Sequence, residues 1–317
     1  MINYGKAISR RNFMKKAAVG AALVGSGAAG RSAAQAKTRS LRLGGPTFEK
    51  YKGPDEWVRV LEKLGYRAAY CPVNAKASDD VVKAYARAAK RADIIIAEVG
   101  AWSNPISPED KTRREAQQKC RTQLALADRI GANCCVNISG SRSNRWEGPS
   151  PDNLTDETFD MIVETTRSII DDVNPTRTYF TLEMMPWSYP DSPDSYVALL
   201  KAIDRKRFGV HLDPVNIVCS PQRYYNTGKL IRECFEKLGP FIKSCHAKDI
   251  LIDPRLTTHL DEARPGLGGL DYAAFLKELS KMPDTPLMLE HLKGAEEYRL
   301  AAEHVRGVAK EIGLSFG

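Results

Sequence analysis

Between Arg177 and His291 the chain reads Arg177-Thr-Tyr-Phe-Thr-Leu-Glu183, then Phe208-Gly-Val-His-Leu-Asp213, Phe241-Ile-Lys-Ser-Cys-His246 and Pro286-Leu-Met-Leu-Glu290. Each is an apolar run of strand length that closes on a metal-ligating residue type. The ligating positions are separated by 30, 33 and 44 residues, each gap long enough for one helix. A parallel barrel gathers the C-terminal ends of its strands around one mouth, so the four side chains would converge there. Two Glu, one Asp and one His form a hard, oxygen-rich set suited to one divalent cation, Mn²⁺, Co²⁺, Mg²⁺ or Zn²⁺.

The same alternation runs through the rest of the chain. Leu41 to Gly44 is a short apolar strand, and Pro54 opens an amphipathic helix that ends near Gly65. Tyr66 to Cys71 reads as the second strand and Asp79 to Arg91 as its helix. Ile94-Ile-Ile-Ala is a buried strand ending near Glu98, Pro108 to Ile130 a long helix, and Ala132 to Ile138 the fourth strand. Thr155 caps the next helix. The four ligand-bearing strands follow, each with its helix, the last running from about Ala295 to Ile312. Eight strands alternating with eight helices predict an α/β fold, a (β/α)₈ TIM barrel.

The motifs Leu182-Glu183, His211-Leu-Asp213-Pro-Val-Asn216, Cys245-His-Ala-Lys-Asp249 and Leu289-Glu290-His291 occur in this order. With them the chain resembles the xylose isomerase-like TIM-barrel family of sugar isomerases and epimerases, from about Ser40 to its end. The resemblance implies that Glu183 and Glu290 are catalytic acid–base groups as well as metal ligands. It also lifts Lys248, in a His-x-Lys-Asp run common in the family, above a surface lysine. Asn216 departs from the sugar epimerases, where a His commonly stands. An amide binds a hydroxyl but cannot shuttle protons.

Residues 1–36 read as a targeting segment. Ser9-Arg10-Arg11-Asn12-Phe13-Met14-Lys15 is a twin-arginine signal, Ala17 to Ala29 a small-residue apolar run, and Ala34-Gln35-Ala36 a cleavage site. The apolar run is too short and too rich in Gly and Ala to span ~30 Å of hydrocarbon. Export to the periplasm or medium, with residues 37–317 as one mature barrel domain, is the expectation. The segment holds six basic residues and no acid, so its loss lowers the formal net charge from +8 to +2. That balance excludes an electrostatic footprint for nucleic acid or an anionic membrane. Seven Cys, an odd number, argue against a complete disulfide framework, and buried free thiols are expected.

Strand alternation adds a layer beneath the ligands. Residues two apart share a face, so Thr181 should lie under Glu183, His211 under Asp213 and Ser244 under His246. His211 is then a candidate to orient a ligand or touch substrate, with a core histidine as the equal alternative. Lys248 should return to the mouth, where an ammonium could hold a substrate oxygen or stabilise an enolate. Asp249 would anchor that lysine or the loop. His291 should point away, and His259 and His304, in a loop and a helix, carry no signal. Trp102 and Asn104 after the third strand, Asn137 and Ser139 at the end of the fourth, and Trp187 after Glu183 suit a carbohydrate. Its C–H faces stack on rings while its hydroxyls need polar partners.

A cation that holds a substrate carbonyl and the neighbouring hydroxyl acidifies the C–H between them. One glutamate removes that proton and the other returns one, giving isomerisation or epimerisation of an unphosphorylated sugar or keto-sugar. One alternative is a 3-ketoglycoside lyase, in which the same abstraction expels the aglycone by β-elimination. The other is a non-catalytic sugar-binding barrel. Endonuclease-like relatives use more His ligands than the one found here. Expected partners are a small carbohydrate and the twin-arginine export machinery, with a homo-oligomer left open and no nucleic acid.

Overall fold

Prolines and polar caps cut the chain into its elements in the computed structural model, which describes residues 40–317. The expected signal segment, residues 1–36, lies outside the described residues. Strands β1 (Leu43–Gly44), β2 (Ala68–Tyr70), β3 (Ile95–Gly100) and β4 (Cys134–Asn137) alternate with helices α1 (Pro54–Lys63), α2 (Asp79–Arg91) and α3 (Asp110–Ile130). Helix α4 (Asp156–Val173) leads to β5 (Tyr179–Glu183) and α5 (Pro193–Ile203) to β6 (Phe208–Leu212). The helices α6 (Pro221–Tyr224) and α7 (Thr227–Leu238) lead to β7 (Ile242–Ala247). A hairpin of β8 (Asp249–Asp253) and β9 (His259–Ala263) precedes α8 (Tyr272–Leu279), β10 (Leu287–Leu289) and α9 (Gly294–Glu311).

Strands β1 to β7 and β10 close into a parallel barrel in the order β1-β10-β7-β6-β5-β4-β3-β2. The fold is therefore the expected (β/α)₈ barrel. Local chemistry sets the boundaries. Pro54 begins α1, where its missing N–H is not needed. Thr155 Oγ1 accepts the Thr158 N–H at 3.3 Å, as its sequence position predicts. Gly131, at φ 78°, ends α3 in the left-handed conformation that costs glycine least.

The antiparallel hairpin between β7 and α8 is the element that periodicity did not reveal, and it puts His259 in a strand, not a loop. Asp249 closes its base. One carboxylate oxygen accepts the N–H groups of Ile250 and Leu270, each at 2.9 Å, and the other those of Gly266 at 2.9 Å and Gly268 at 3.1 Å. Gly268 has to be glycine-sized, since a Cβ there would stand 2.3 Å from Asp249 Oδ1. Asp249 thus anchors the loop.

Apolar side chains fill the layer between strands and helices, while a small cluster of Ala68, Ala97 and Met288 sits inside the barrel. Adjacent Cys134 and Cys135 split between these layers, Cys134 Sγ reaching Ala97 O at 3.6 Å and Cys135 packing on the helix side. All seven cysteines are free, five of them buried. One irregularity matters for the site. The pairing of β2 with β3 runs Ala69 to Ile96 and then Tyr70 to Glu98, a slip of one residue. Ile96 and Val99, three apart, both pack on the helix side. The slip turns Glu98 into the barrel, as a bulge does. Among the described residues no helix is long and apolar enough to cross a membrane.

Candidate functional site

Glu183 ends β5, Asp213 follows β6, His246 lies in β7 and Glu290 follows β10. The barrel brings one ligand atom of each within 4.8 Å of the others. His246 Nδ1 stands 2.9 Å from Glu183 Oε1, 2.9 Å from Glu290 Oε2 and 3.9 Å from Asp213 Oδ2. All four are shielded from solvent, Glu290 least. Asp213 Oδ2 and Glu290 Oε2 are buried without a hydrogen bond of proper geometry. Buried, under-satisfied carboxylate oxygens grouped around an imidazole are what a hard divalent cation needs, so the residues fit such an ion.

Beneath this quartet is a support that sequence reading missed. Glu98, 2% exposed, places Oε1 3.0 Å from His246 Nε2 and Oε2 2.9 Å from His211 Nε2. Ser244 Oγ donates to the same Oε2 at 2.9 Å. One carboxylate thereby fixes the ring of His246 and presents its Nδ1 to the quartet. Glu98, His211 and His246 also lie close enough to be a second metal cluster. Both Glu98 oxygens are already committed, however, so we read the group as a hydrogen-bonded buttress. His211 lies buried under the floor, does not line the cavity, and touches Glu98 rather than any position open to substrate.

Lys248 is 2% exposed and returns to the mouth as alternation predicts. Its Nζ donates to Asn216 Oδ1 at 2.7 Å and Glu262 Oε1 at 2.8 Å. It also stands 2.8 Å from Asp213 Oδ2 and 3.7 Å from Glu290 Oε2. Asn216 Nδ2 donates in turn to Glu183 Oε1 at 3.2 Å and Met184 O at 3.1 Å. Glu262, from β9, is the hairpin's contribution, and its second oxygen meets His291 Nδ1 at 3.0 Å.

Burial and the protein's own charges pull the titratable groups of the site in opposite directions. Burial alone would raise the Glu98 carboxyl, yet His246 and His211 hold it well below the ordinary range. Burial likewise opposes ionisation of Glu183, but His246 and Lys248 bring it down to about 2. For Asp213 burial wins, aided by Glu183 and Glu290 against Lys248 and His246, and lifts it to about 6. His246 would be lowered by burial, but Glu290, Glu98 and Glu183 raise it well above its usual value. The quartet therefore sets three carboxyl groups against one imidazole, a surplus of negative charge that a divalent cation would balance.

Above the floor opens a cavity of about 760 Å³. Of the residues expected to bind substrate, Lys248, Asn216, Trp102 and Trp187 line it, as do Glu183 and Glu290. Asn137 does not. It shares the helix-facing side of β4 with Cys135, its Oδ1 accepting the Ser103 N–H at 2.9 Å and its Nδ2 reaching Cys120 Sγ at 3.3 Å. Alternation from Cys135 carried that signal. His291, expected to point away, lines the cavity, because its φ of 57° breaks the alternation after Glu290. Trp146 and Glu147 also line the cavity, from the loop after β4, where no periodicity marks them.

The sequence matches the family described as xylose isomerase-like TIM barrel over residues 58–308. No curated protein matches it. Among solved structures it is similar to 3-keto-D-glucoside 4-epimerase from E. coli, with TM-score 0.60 and 13% identity over 84% of this chain and all of that one. A xylose isomerase-like TIM barrel protein from Mycobacterium smegmatis, solved with magnesium, gives 0.59 and 15% identity over 87% of this chain and 97% of that one. Endonuclease IV from Thermus thermophilus gives 0.65 and 14% identity over 85% and 99%. At such identities the likeness carries the fold, and the fold houses more than one chemistry.

Proposed function

Because the chain belongs to the xylose isomerase-like TIM barrel family, we propose that it is a divalent-metal-dependent enzyme acting on an unphosphorylated sugar or keto-sugar. It removes the proton beside a carbonyl, and isomerisation or epimerisation follows. The observation that carries this reading is the quartet of ligand atoms within 4.8 Å at the base of an aromatic-walled cavity. Of the cavity's lining residues only Lys248 and His291 are basic, and both are tied to Glu262. Among the described residues lining the cavity, that leaves no free cation for a phosphate, which favours a neutral sugar.

Glu183, Asp213, His246 through Nδ1 and Glu290 would hold the ion, Mn²⁺, Co²⁺, Mg²⁺ or Zn²⁺. When bound, such an ion polarises the carbonyl and offsets the charge left by proton removal. Glu183, kept ionised by the charge of Lys248 and of the bound cation, takes the proton. Glu290 reaches the mouth from β10, with β6 and β7 between it and β5, and returns a proton from another side. Lys248 supplies positive charge to the developing oxyanion. Trp102 and Trp187 offer faces to the sugar's C–H surface.

A second reading, elimination of the aglycone from a 3-ketoglycoside, is favoured by Asn216. Its amide is fixed between Glu183 and Lys248 where a proton-carrying histidine would serve an epimerase. Metal-loaded protein incubated in D₂O with free ketoses and with 3-ketoglycosides tests both. Deuterium in a sugar recovered without release of an aglycone supports isomerisation or epimerisation, and a released aglycone supports elimination. A sugar recovered with neither change rejects both.

The proposal extends to export through the twin-arginine route. Changing Arg10 and Arg11 together to Lys should trap precursor in the cytoplasm. Normal accumulation outside it of protein starting near Lys37 would refute the assignment.

A further inference from the structure

Elimination makes a demand beyond proton abstraction. When the bond from C1 to the glycosidic oxygen breaks, the departing alkoxide needs a proton. Glu183 and Glu290 face His246, Glu262 bridges Lys248 and His291, and Lys248 is shared among several acids. Glu147 differs from all of them. It lines the same cavity, and among the described residues its carboxyl has no hydrogen bond and no ion pair.

The loop that carries it is held firmly. Buried Asn104 accepts the Ser141 N–H at 3.0 Å and donates to Ser141 O at 2.7 Å and Arg145 O at 3.4 Å. Buried Asn153 accepts the Arg142 N–H at 2.7 Å and donates to Gly148 O at 3.0 Å. The backbone is thus pinned just before Trp146 and just after Glu147. Two buried amides hold a loop whose cavity-facing product is one ring and one unpartnered carboxyl.

We propose that Glu147 is the acid that protonates the departing glycosidic oxygen when a 3-ketoglycoside is cleaved. The assignment rests on the elimination reading above. Glu183 takes the proton from C2, beside the C3 ketone. The C2–H electrons form the C1=C2 bond, the C1–O bond breaks, and Glu147 gives its proton to that oxygen. The products are a conjugated enone and the free alcohol, and proton exchange with water restores both carboxyls with no redox partner. Burial pushes the Glu147 carboxyl above its ordinary range, with His291 opposing and Glu183 adding.

The test compares wild type with Glu147→Gln, both metal-loaded, on methyl and 4-nitrophenyl 3-keto-β-glucosides. Methoxide leaves only with a proton, whereas nitrophenolate leaves as the anion. For the methyl substrate the variant should lose ~10²-fold or more in kcat, in the range of a general acid. The nitrophenyl substrate should lose far less. Deuterium uptake at C2, followed in the same D₂O reaction, reports that the variant still folds, binds and abstracts. Equal losses for both alcohols, or a raised KM with unchanged kcat, would overturn the role of Glu147. Release of neither alcohol by wild type would sink the elimination reading itself.

Discussion

Strands β5, β6, β7 and β10 meet the cavity at their ends, and β3 meets it from beneath. The first group delivers Glu183, Asp213, His246 and Glu290 to the mouth, where charge is crowded and two carboxylate oxygens lack good hydrogen bonds. The second delivers Glu98, whose two oxygens take three close partners in a sealed interior. The quartet leaves two carboxylate oxygens open, whereas the buttress commits both oxygens of Glu98 and leaves open only the far nitrogen of His211, Nδ1. Open carboxylate oxygens are what the proposed cation would use, while the paired carboxylate of Glu98 holds the imidazole in place.

The largest expected effect falls on the quartet. Glu183→Gln and Glu290→Gln keep a coordinating oxygen but lose basicity, so each should retain substantial metal and lose ~10²–10⁴-fold in turnover. Metal content by atomic absorption beside steady-state rates checks this. Near wild-type rates in both fully metallated variants would erase the distinction between ligand and base. In the buttress, Glu98→Gln should weaken metal binding by ~10–100-fold through loss of the charged contact to His246. Competition against a chelator measures it, and unchanged affinity would show that the buttress does not orient the imidazole.

Asp249→Ala removes the acceptor of four backbone N–H groups at the hairpin's base. Unsatisfied buried groups cost ~1–3 kcal/mol each, less where water enters, so a loss of ~2 kcal/mol or more in urea unfolding is expected. A change below ~0.5 kcal/mol would mean that water replaces the carboxylate there. The smallest effect belongs to the surface. Arg299 pairs with Glu296 and Glu303 on α9, all well exposed, and Arg299→Ala should leave the urea unfolding midpoint essentially unchanged; a clear drop would show that this surface pairing matters to the fold.

The same contrast explains what could be read from the sequence. The quartet was legible because a ligating residue type closing an apolar strand is a local pattern, and the barrel does the rest. Lys248 was legible by the two-residue alternation that continues past His246. Glu98 was hidden, because the slip between β2 and β3 reverses the facing that Ile94 and Ile96 imply. Asn137 was misassigned by position at a strand end, although its parity with Cys135 turned it to the helices. His291 escaped because a left-handed backbone ends the alternation. Glu147 and Glu262 come from a loop and a hairpin, whose places over the mouth are fixed by buried amides and one aspartate rather than by any period.

The hairpin of β8 and β9 has a consequence for how the chain can be altered. Its base is locked by Asp249, and Glu262, paired across from Ile250, sits near that base. Its far end projects into solvent, where Leu256 is 98% exposed. Stem and tip are therefore separable. A peptide tag or a protease cleavage sequence spliced beside Leu256 changes chain length at a point where no barrel hydrogen bond crosses. The barrel offers there a natural socket for grafted sequence, provided that it enters before Leu256, ahead of Thr258 and Leu260, which line the cavity.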